Sequence, residues 1–304
     1  MHPVNQSRLR YFFEVLSNGS IRAAADKINS APSVISRQIK LLEDELGVTL
    51  FERSVGGVLP TESAKHVLEY WRACQSQHEV LEERLRETHE LKSGHIQFAI
   101  GEGFIDDLVD EVLLPFSNEY PDITFTINTR TVNDVCTEIA EGISHIGLAF
   151  NPPKHPNLKT QFSTNFPLHL VMGNRHPLNN KAPVVSLAAA LSYPVVLMPS
   201  AFGIGKTIEM LAFMEGVQLE PALLTNSVHT LTRFIRNNRA VAFLGAATAQ
   251  EAVRDGNLAS LVVDHQLLNT STADVLVKAE RTLPRAASEA LKWIAAHSKI
   301  FGQK

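Results

Sequence analysis

The residues of this chain best equipped for chemistry lie in its first sixty positions. Ser33, Ser36, Arg37 and Lys40 share one side of a helical spacing that begins at Pro32, with Arg22 upstream and Arg53 downstream. Small side chains at a helix start let the backbone approach a surface closely, and a guanidinium beyond them can pair with O6 and N7 of guanine. Cations such as Arg22, Lys40 and Arg53 suit phosphate oxygens. These types and spacings imply recognition of a nucleic-acid duplex, with Pro32, Ser33, Ser36 and Arg37 nearest the base edges.

Other chemistry is poorly supplied. Gly203-Ile-Gly205-Lys206-Thr207 ends like a phosphate-binding loop, but that loop needs glycine where Ser200 stands. There is no Gly-x-Ser-x-Gly elbow, and neither cysteine has a catalytic His/Asn setting. No paired carboxylates imply acid–base work. His66, His78, His89 and His95 are separated by 12, 11 and 6 positions, which matches no metal-ligand pattern. No enzyme activity, metal or cofactor is expected.

Helices must carry the first set of residues. Leu9, Phe12, Phe13, Val15 and Leu16 recur at helical spacing, and Asn18-Gly19 ends that helix. Ser20 is a good N-cap for a second helix over 21–28, whose Ala23-Ala24-Ala25 permits close approach. After a short turn at 29–31, Pro32 fits the first position of a third helix. Val34, Ile35, Ile39, Leu42 and Leu46 are its expected buried stripe, and Gly47 its stop. Two short helices with a tight turn, the second presenting small polar and basic groups, are what major-groove reading requires.

Charge agrees with this division. The chain has 304 residues, with 28 Lys and Arg against 32 Asp and Glu, a net of −4. Residues 1–42 hold six bases and two acids, a net of +4, leaving −8 for the rest. A uniformly basic protein and an acidic disordered one are both excluded. The length predicts two or more domains. Two distant cysteines, no apolar run near ~20 residues and no apolar leader fit a reducing cytoplasm and no membrane.

The runs Ser20-Ile-Arg-Ala-Ala-Ala-Asp-Lys-Ile28, Ala31-Pro-Ser-Val-Ile-Ser-Arg-Gln-Ile39 and Leu42-Glu-Asp-Glu-Leu-Gly-Val-Thr-Leu-Phe-Glu-Arg53 resemble the LysR-type transcriptional regulators. The resemblance is ordered across about sixty residues. It implies a winged helix-turn-helix over 1–60, its wing near 54–59 and Arg53 beside the adjacent phosphates. Ala31-Pro32-Ser33 stands where many members have Ser-Gln-Pro, so no base-reading Gln is carried over.

A long helix capped by Thr61 is expected to run toward Leu91, forming a linker over 61–91. Val67 or Leu68, Trp71, Cys74, His78, Leu81, Leu85 and Thr88 describe one narrow seam, read as a dimerisation surface. Leu91-Lys-Ser-Gly94 reads as a hinge. Beyond it, strands expected at 96–100, 123–128 and 146–150 alternate with helices near 106–120 and 133–141, which indicates parallel sheet. A second set starts at 168–172, and the closing strand at 274–279 and helix at 285–297 are available to return to the first. Gly94-His-Ile-Gln-Phe-Ala-Ile-Gly101 and Arg175-His-Pro177 belong to a resemblance to the effector half of the same regulators. That half, over 92–304, has a periplasmic-binding-protein-like form, with one lobe near 92–166 plus 271–304 and the other near 167–270.

The fold class read here is thus multidomain α+β: winged helix-turn-helix, linker helix and two-lobed α/β effector domain. Ligands of such folds sit outside the carboxyl ends of strands, near helix N-termini. That nominates Glu102, Gly103, Phe104, Thr129 and Thr131 in one lobe, and Ser200, Phe202, Ser227 and His229 in the other. Phe104 and Phe202 are expected against an apolar part of the ligand. Glu102 either stabilises its own helix's dipole, worth about 0.3–1 kcal/mol, or faces the cleft and disfavours a carboxylate effector. The expected function is a sequence-specific regulator switched by a small molecule. Its expected partners are promoter DNA, a second copy in a homodimer or homotetramer, and RNA polymerase. A solute-binding protein or a cleft enzyme is the alternative.

Overall fold

The computed structural model describes residues 4–54, 57–86, 93–180 and 183–302. The chain divides into two compact units, Met1–Glu82 and Glu83–Lys304.

In the first unit, helix α1 (Gln6–Asn18) is capped by Asn5, whose side chain accepts from the N–H groups of Ser7 and Arg8. Gly19, at φ +66°, ends it in the left-handed conformation. Helix α2 (Ile21–Lys27) starts at Ser20, whose hydroxyl accepts from the Ala23 N–H. Asn29, at φ +53°, turns the chain into α3 (Pro32–Leu46). Strands β1 (Phe51–Ser54) and β2 (Gly57–Pro60) then form an antiparallel hairpin, with Arg53 opposite Val58. Leu9, Phe12, Val15, Ala24, Ala25, Ile35, Ile39, Leu42 and Leu50 form the core. Glu43 fixes α3 to the hairpin, its Oε1 accepting the N–H groups of Leu50 (2.7 Å) and Phe51 (3.3 Å).

Two expectations need correction here. Val34 is 42% exposed, because it lies about 100° around α3 from the buried Ile35, on the side that the described residues of its unit leave open. The seam on α4 (Glu62–Arg86) is also shared differently. Val67, Leu68 and Trp71 pack into the core of their own unit, with the Trp71 ring 6.0 Å from that of Phe13. Cys74 is half-buried, whereas His78 and Leu81 are exposed. Only the later part of the seam therefore remains for a second copy. Thr88, His89, the wing tip at 55–56 and the hinge positions 91–92 lie outside the described residues, as does the Leu85 side chain.

The second unit holds two mixed sheets. The first contains β3 (Gly94–Ile100), β4 (Ile123–Thr129), β5 (Ile146–Phe150), β6 (Leu158–Asn165) and β13 (Thr272–Lys278) in the order β4-β3-β5-β13-β6. The second contains β7 (Leu168–Gly173), β8 (Val184–Ser186), β9 (Val195–Leu197), β10 (Pro221–Leu224), β11 (Val241–Gly245) and β12 (Leu258–Asp264) in the order β10-β9-β11-β7-β12-β8. Helices α5 (Leu114–Glu119), α6 (Val132–Glu141) and α12 (Arg285–His297) belong with the first sheet. Helices α7 (Leu187–Leu191), α8 (Gly203–Met214), α9 (Val228–Ile235), α10 (Ala246–Ala252) and α11 (Gln266–Asn269) belong with the second. The chain crosses between lobes beside Phe166 and Ser271, where the Phe166 N–H donates to the Ser271 carbonyl at 2.7 Å.

The sheets are not wholly parallel as expected. β13 runs antiparallel to β5 and β6, and β7 antiparallel to β11 and β12, because these strands carry the chain between lobes without a crossover helix. The helix expected at 106–120 is also different. Residues Asp107–Leu113 form π-type turns, with the Leu114 N–H bonded to the Val109 carbonyl five residues back. Pro115 lacks the N–H that would close an α-turn on Glu111.

Candidate nucleic-acid face and effector cleft

Helix α3 presents what its spacing predicts on one side. Pro32, Ser33, Arg37 and Lys40 are exposed and Ser36 is half-exposed, while Ile35, Ile39 and Leu42 are buried beneath them. Arg22 stands exposed on the second position of α2. Ala31 supplies no side-chain cap to α3. Pro32 has no N–H, and the Val34 and Ile35 N–H groups donate to the Ala31 carbonyl at 3.0 and 3.3 Å, so this turn offers an outside acceptor the Ser33 N–H and the positive end of the dipole. Val34 joins the exposed group, an apolar side chain between Ser33 and Arg37 that stripe assignment alone misses. An exposed methyl pair at that place suits the methyl group of thymine. The Arg53 backbone lies on β1 of the hairpin.

The wing is held by a close approach rather than by loose glycines. A β-carbon on Gly57, at φ +144°, would stand 2.4 Å from the Gly19 carbonyl oxygen, and the Val58 N–H donates to that same oxygen at 3.1 Å. Gly57 docks the second strand on the end of α1.

In the second unit, the nominated loops meet from both lobes. Glu102 opens a short 3-10 turn (Glu102–Phe104) after β3. It does not serve its own helix: its Oε1 accepts the N–H of Val228, the first residue of α9 in the other lobe, at 2.9 Å. Ser227, the N-cap of α9, accepts from the Thr230 N–H and also bonds the Glu102 carboxylate. Burial pushes the Glu102 carboxyl above the ordinary 4.5, against the lowering effect of the Val228 and Ser227 hydrogen bonds. Next to it, the Gly103 carbonyl accepts the Thr248 hydroxyl of α10 at 2.9 Å, a second tie between lobes.

The remaining nominees divide. His229 is exposed, and its Nε2 accepts from the Arg233 side chain at 3.5 Å. Ser200 is exposed in the turn before α8, and Thr129 is exposed at the end of β4. Thr131 caps α6, accepting from the Asp134 N–H and donating to the Asp134 carboxylate at 2.7 Å. Phe202 is half-buried at the N-cap of α8, against the core of the second lobe. Phe104, expected against an apolar part of the ligand, is packed inside the protein. It is 3% exposed, its ring 5.5 Å from Phe166 and 5.9 Å from Phe301, so it belongs to the core that joins the lobes.

The phosphate-loop likeness has a packing cause. A β-carbon on Gly205 would stand 2.2 Å from the Met198 carbonyl oxygen, so glycine is required where α8 crosses the end of β9. Among the described residues, no three His, Cys, Asp or Glu side chains stand together as a metal site, and no helix is long and apolar enough to cross a membrane.

Two family models cover the chain: one described as bacterial regulatory helix-turn-helix protein, lysR family, matches residues 7–65, and one described as LysR substrate binding domain matches residues 89–299. The HTH-type transcriptional regulator YnfL of Escherichia coli, itself uncharacterized, is 27% identical over 71% of this chain and 72% of that protein. The HTH-type transcriptional regulator CbbR of Sinorhizobium medicae is 23% identical over 86% of this chain and 84% of its own length. Among solved structures, a full-length OxyR variant from Pseudomonas aeruginosa aligns with a TM-score of 0.76 at 16% identity, covering 100% of this chain and 99% of that one. Full-length CbnR complexed with its target DNA aligns at 0.53 and 20% identity, over 95% and 98% of the two chains.

Proposed function

This chain belongs to the LysR family of transcriptional regulators, and we propose that it reads promoter DNA through α3 under the control of a small molecule held between its two α/β lobes. The observation that carries this reading is the exposed face of α3, where small, apolar and cationic side chains stand together above a buried stripe. In this assignment Pro32, Ser33, Val34, Ser36 and Arg37 lie nearest base edges, and Arg22, Lys40 and Arg53 anchor phosphates. Two copies would place their α3 helices in major grooves about 34 Å apart, which favours a pseudo-palindromic site. The exposed later part of the α4 seam is one surface for that pairing. A second is α8, where Met210, Phe213 and Met214 are 46%, 85% and 64% exposed. Effector binding would shift how the copies associate and so alter the bend imposed on the promoter. RNA polymerase is the further partner this function calls for, and the reading requires neither metal nor cofactor.

A gel-shift titration at two salt concentrations tests it. Binding to its own promoter region that exceeds binding to scrambled duplex, and weakens steeply with salt, is the expected result. Equal affinity for both duplexes would overturn it. A thermal-shift screen of small metabolites then identifies the effector, since a ligand that binds the folded state raises its melting point.

A further inference from the structure

The N–H groups that open a helix form a ready seat for an anion, and in folds of this kind such seats face the interlobe cleft. At α9 the seat is taken. Glu102 reaches from the first lobe and accepts the Val228 N–H at 2.9 Å, with the Ser227 hydroxyl on the same carboxylate and His229 adding a weaker attraction. Two features show that the carboxylate is placed there by the fold. Glu102 is held at the start of a 3-10 turn, and the neighbouring Gly103 carbonyl is fixed by the Thr248 hydroxyl, so the backbone that carries Glu102 is tied to the second lobe on its other side as well.

We propose that Glu102 is a resident substitute for an anionic ligand: it fills the carboxylate position at the α9 N-terminus, latches the lobes together and restricts the cleft to neutral or cationic effectors. A free carboxylate entering the cleft would find the Val228 N–H already bonded and would meet the negative charges of Glu102 and nearby Asp106. An effector bearing an amine would meet no such repulsion. The proposal rests on the reading of this cleft as the effector site, but its test is independent of DNA.

The test is chemical rescue of the full-length protein, read by thermal melting with sodium acetate against sodium chloride at matched ionic strength. E102A empties the seat and removes the latch, so the transition of the second unit should fall by at least about 2–4 °C. Acetate, which carries the missing carboxylate, should restore it saturably, and chloride should not. The wild-type protein should melt alike in both salts. Should E102A fail to fold, E102S keeps a small polar residue in the turn and carries the same comparison. Unchanged melting of the variants, acetate acting equally on variant and wild type, or destabilised variants indifferent to acetate would each overturn the proposal. Such a failure leaves any gel-shift result standing, and loss of specific DNA binding would not explain an acetate effect confined to the variants.

Discussion

Gly19 and Gly57 are in backbone contact across the first unit: the carbonyl oxygen of Gly19 lies 2.4 Å from the place a β-carbon on Gly57 would occupy. The contact sets the wing strand against the end of α1, and Gly57 holds φ +144°, a conformation that other residues rarely adopt. G57A should therefore destabilise this unit by about 1–3 kcal/mol or more. Denaturant unfolding of a full chain carrying W293F, in which Trp71 is the sole tryptophan, should show it by fluorescence. Affinity for all duplexes should fall together, since the defect displaces the wing and leaves the α3 side chains unchanged.

Substitutions on α3 should act differently. R37A is expected to cost about 1–3 kcal/mol on the specific site and to relax sequence preference at one position. An equal loss on random duplex would mean that Arg37 meets only phosphate. V34A removes exposed methyl groups, so stability should change by less than about 0.5 kcal/mol. Preference for a thymine in the site should weaken by about 1 kcal/mol. Binding titrations against a base-substituted site series separate the two.

The tie between Thr248 and the Gly103 carbonyl predicts a clear pair of variants. T248V keeps the shape but deletes the donor, leaving a part-buried carbonyl unpaired, at a cost of about 1–3 kcal/mol. T248S keeps the hydroxyl and should remain near wild type. Thermal melting of the second unit distinguishes them.

Two histidines, His176 buried and His169 half-buried, should make that unit sensitive to mild acid. Burial holds the pKa values of His169 and His176 below the ordinary 6.5. His176 is fully buried, its Nδ1 accepts the Leu178 N–H at 3.3 Å, and its ring packs edge-on against Tyr193 with centroids 4.6 Å apart. The unfolded chain therefore takes up protons first as pH falls below about 6.5, and stability is lost from there downward. Melting temperature should be level above that pH and decline beneath it. H176F should flatten the decline relative to wild type, and an unchanged slope would remove His176 as a source.

Much of this molecule is decided locally and is therefore legible in the sequence. Ser20, Pro32, Gly19 and Gly47 set the bounds of the first three helices because caps, a missing N–H and left-handed turns depend only on adjacent residues. The exposure of Arg37 and Lys40 follows from helical spacing once Ile35, Ile39 and Leu42 are buried. What tertiary structure alone decided involves partners distant in sequence. Val34 is exposed because no described element of its own unit covers it, and Phe104 is core because Phe166 and Phe301 close on it. The return of the closing strand to the first lobe is expected from the sequence, but its antiparallel place between β5 and β6, 122 positions beyond the end of β5, is set by pairing that no local pattern encodes. Glu102 marks the boundary between the two: its type and place after β3 were visible in the sequence, but the helix whose dipole it satisfies lies 126 residues away. Only folding could bring that helix to it.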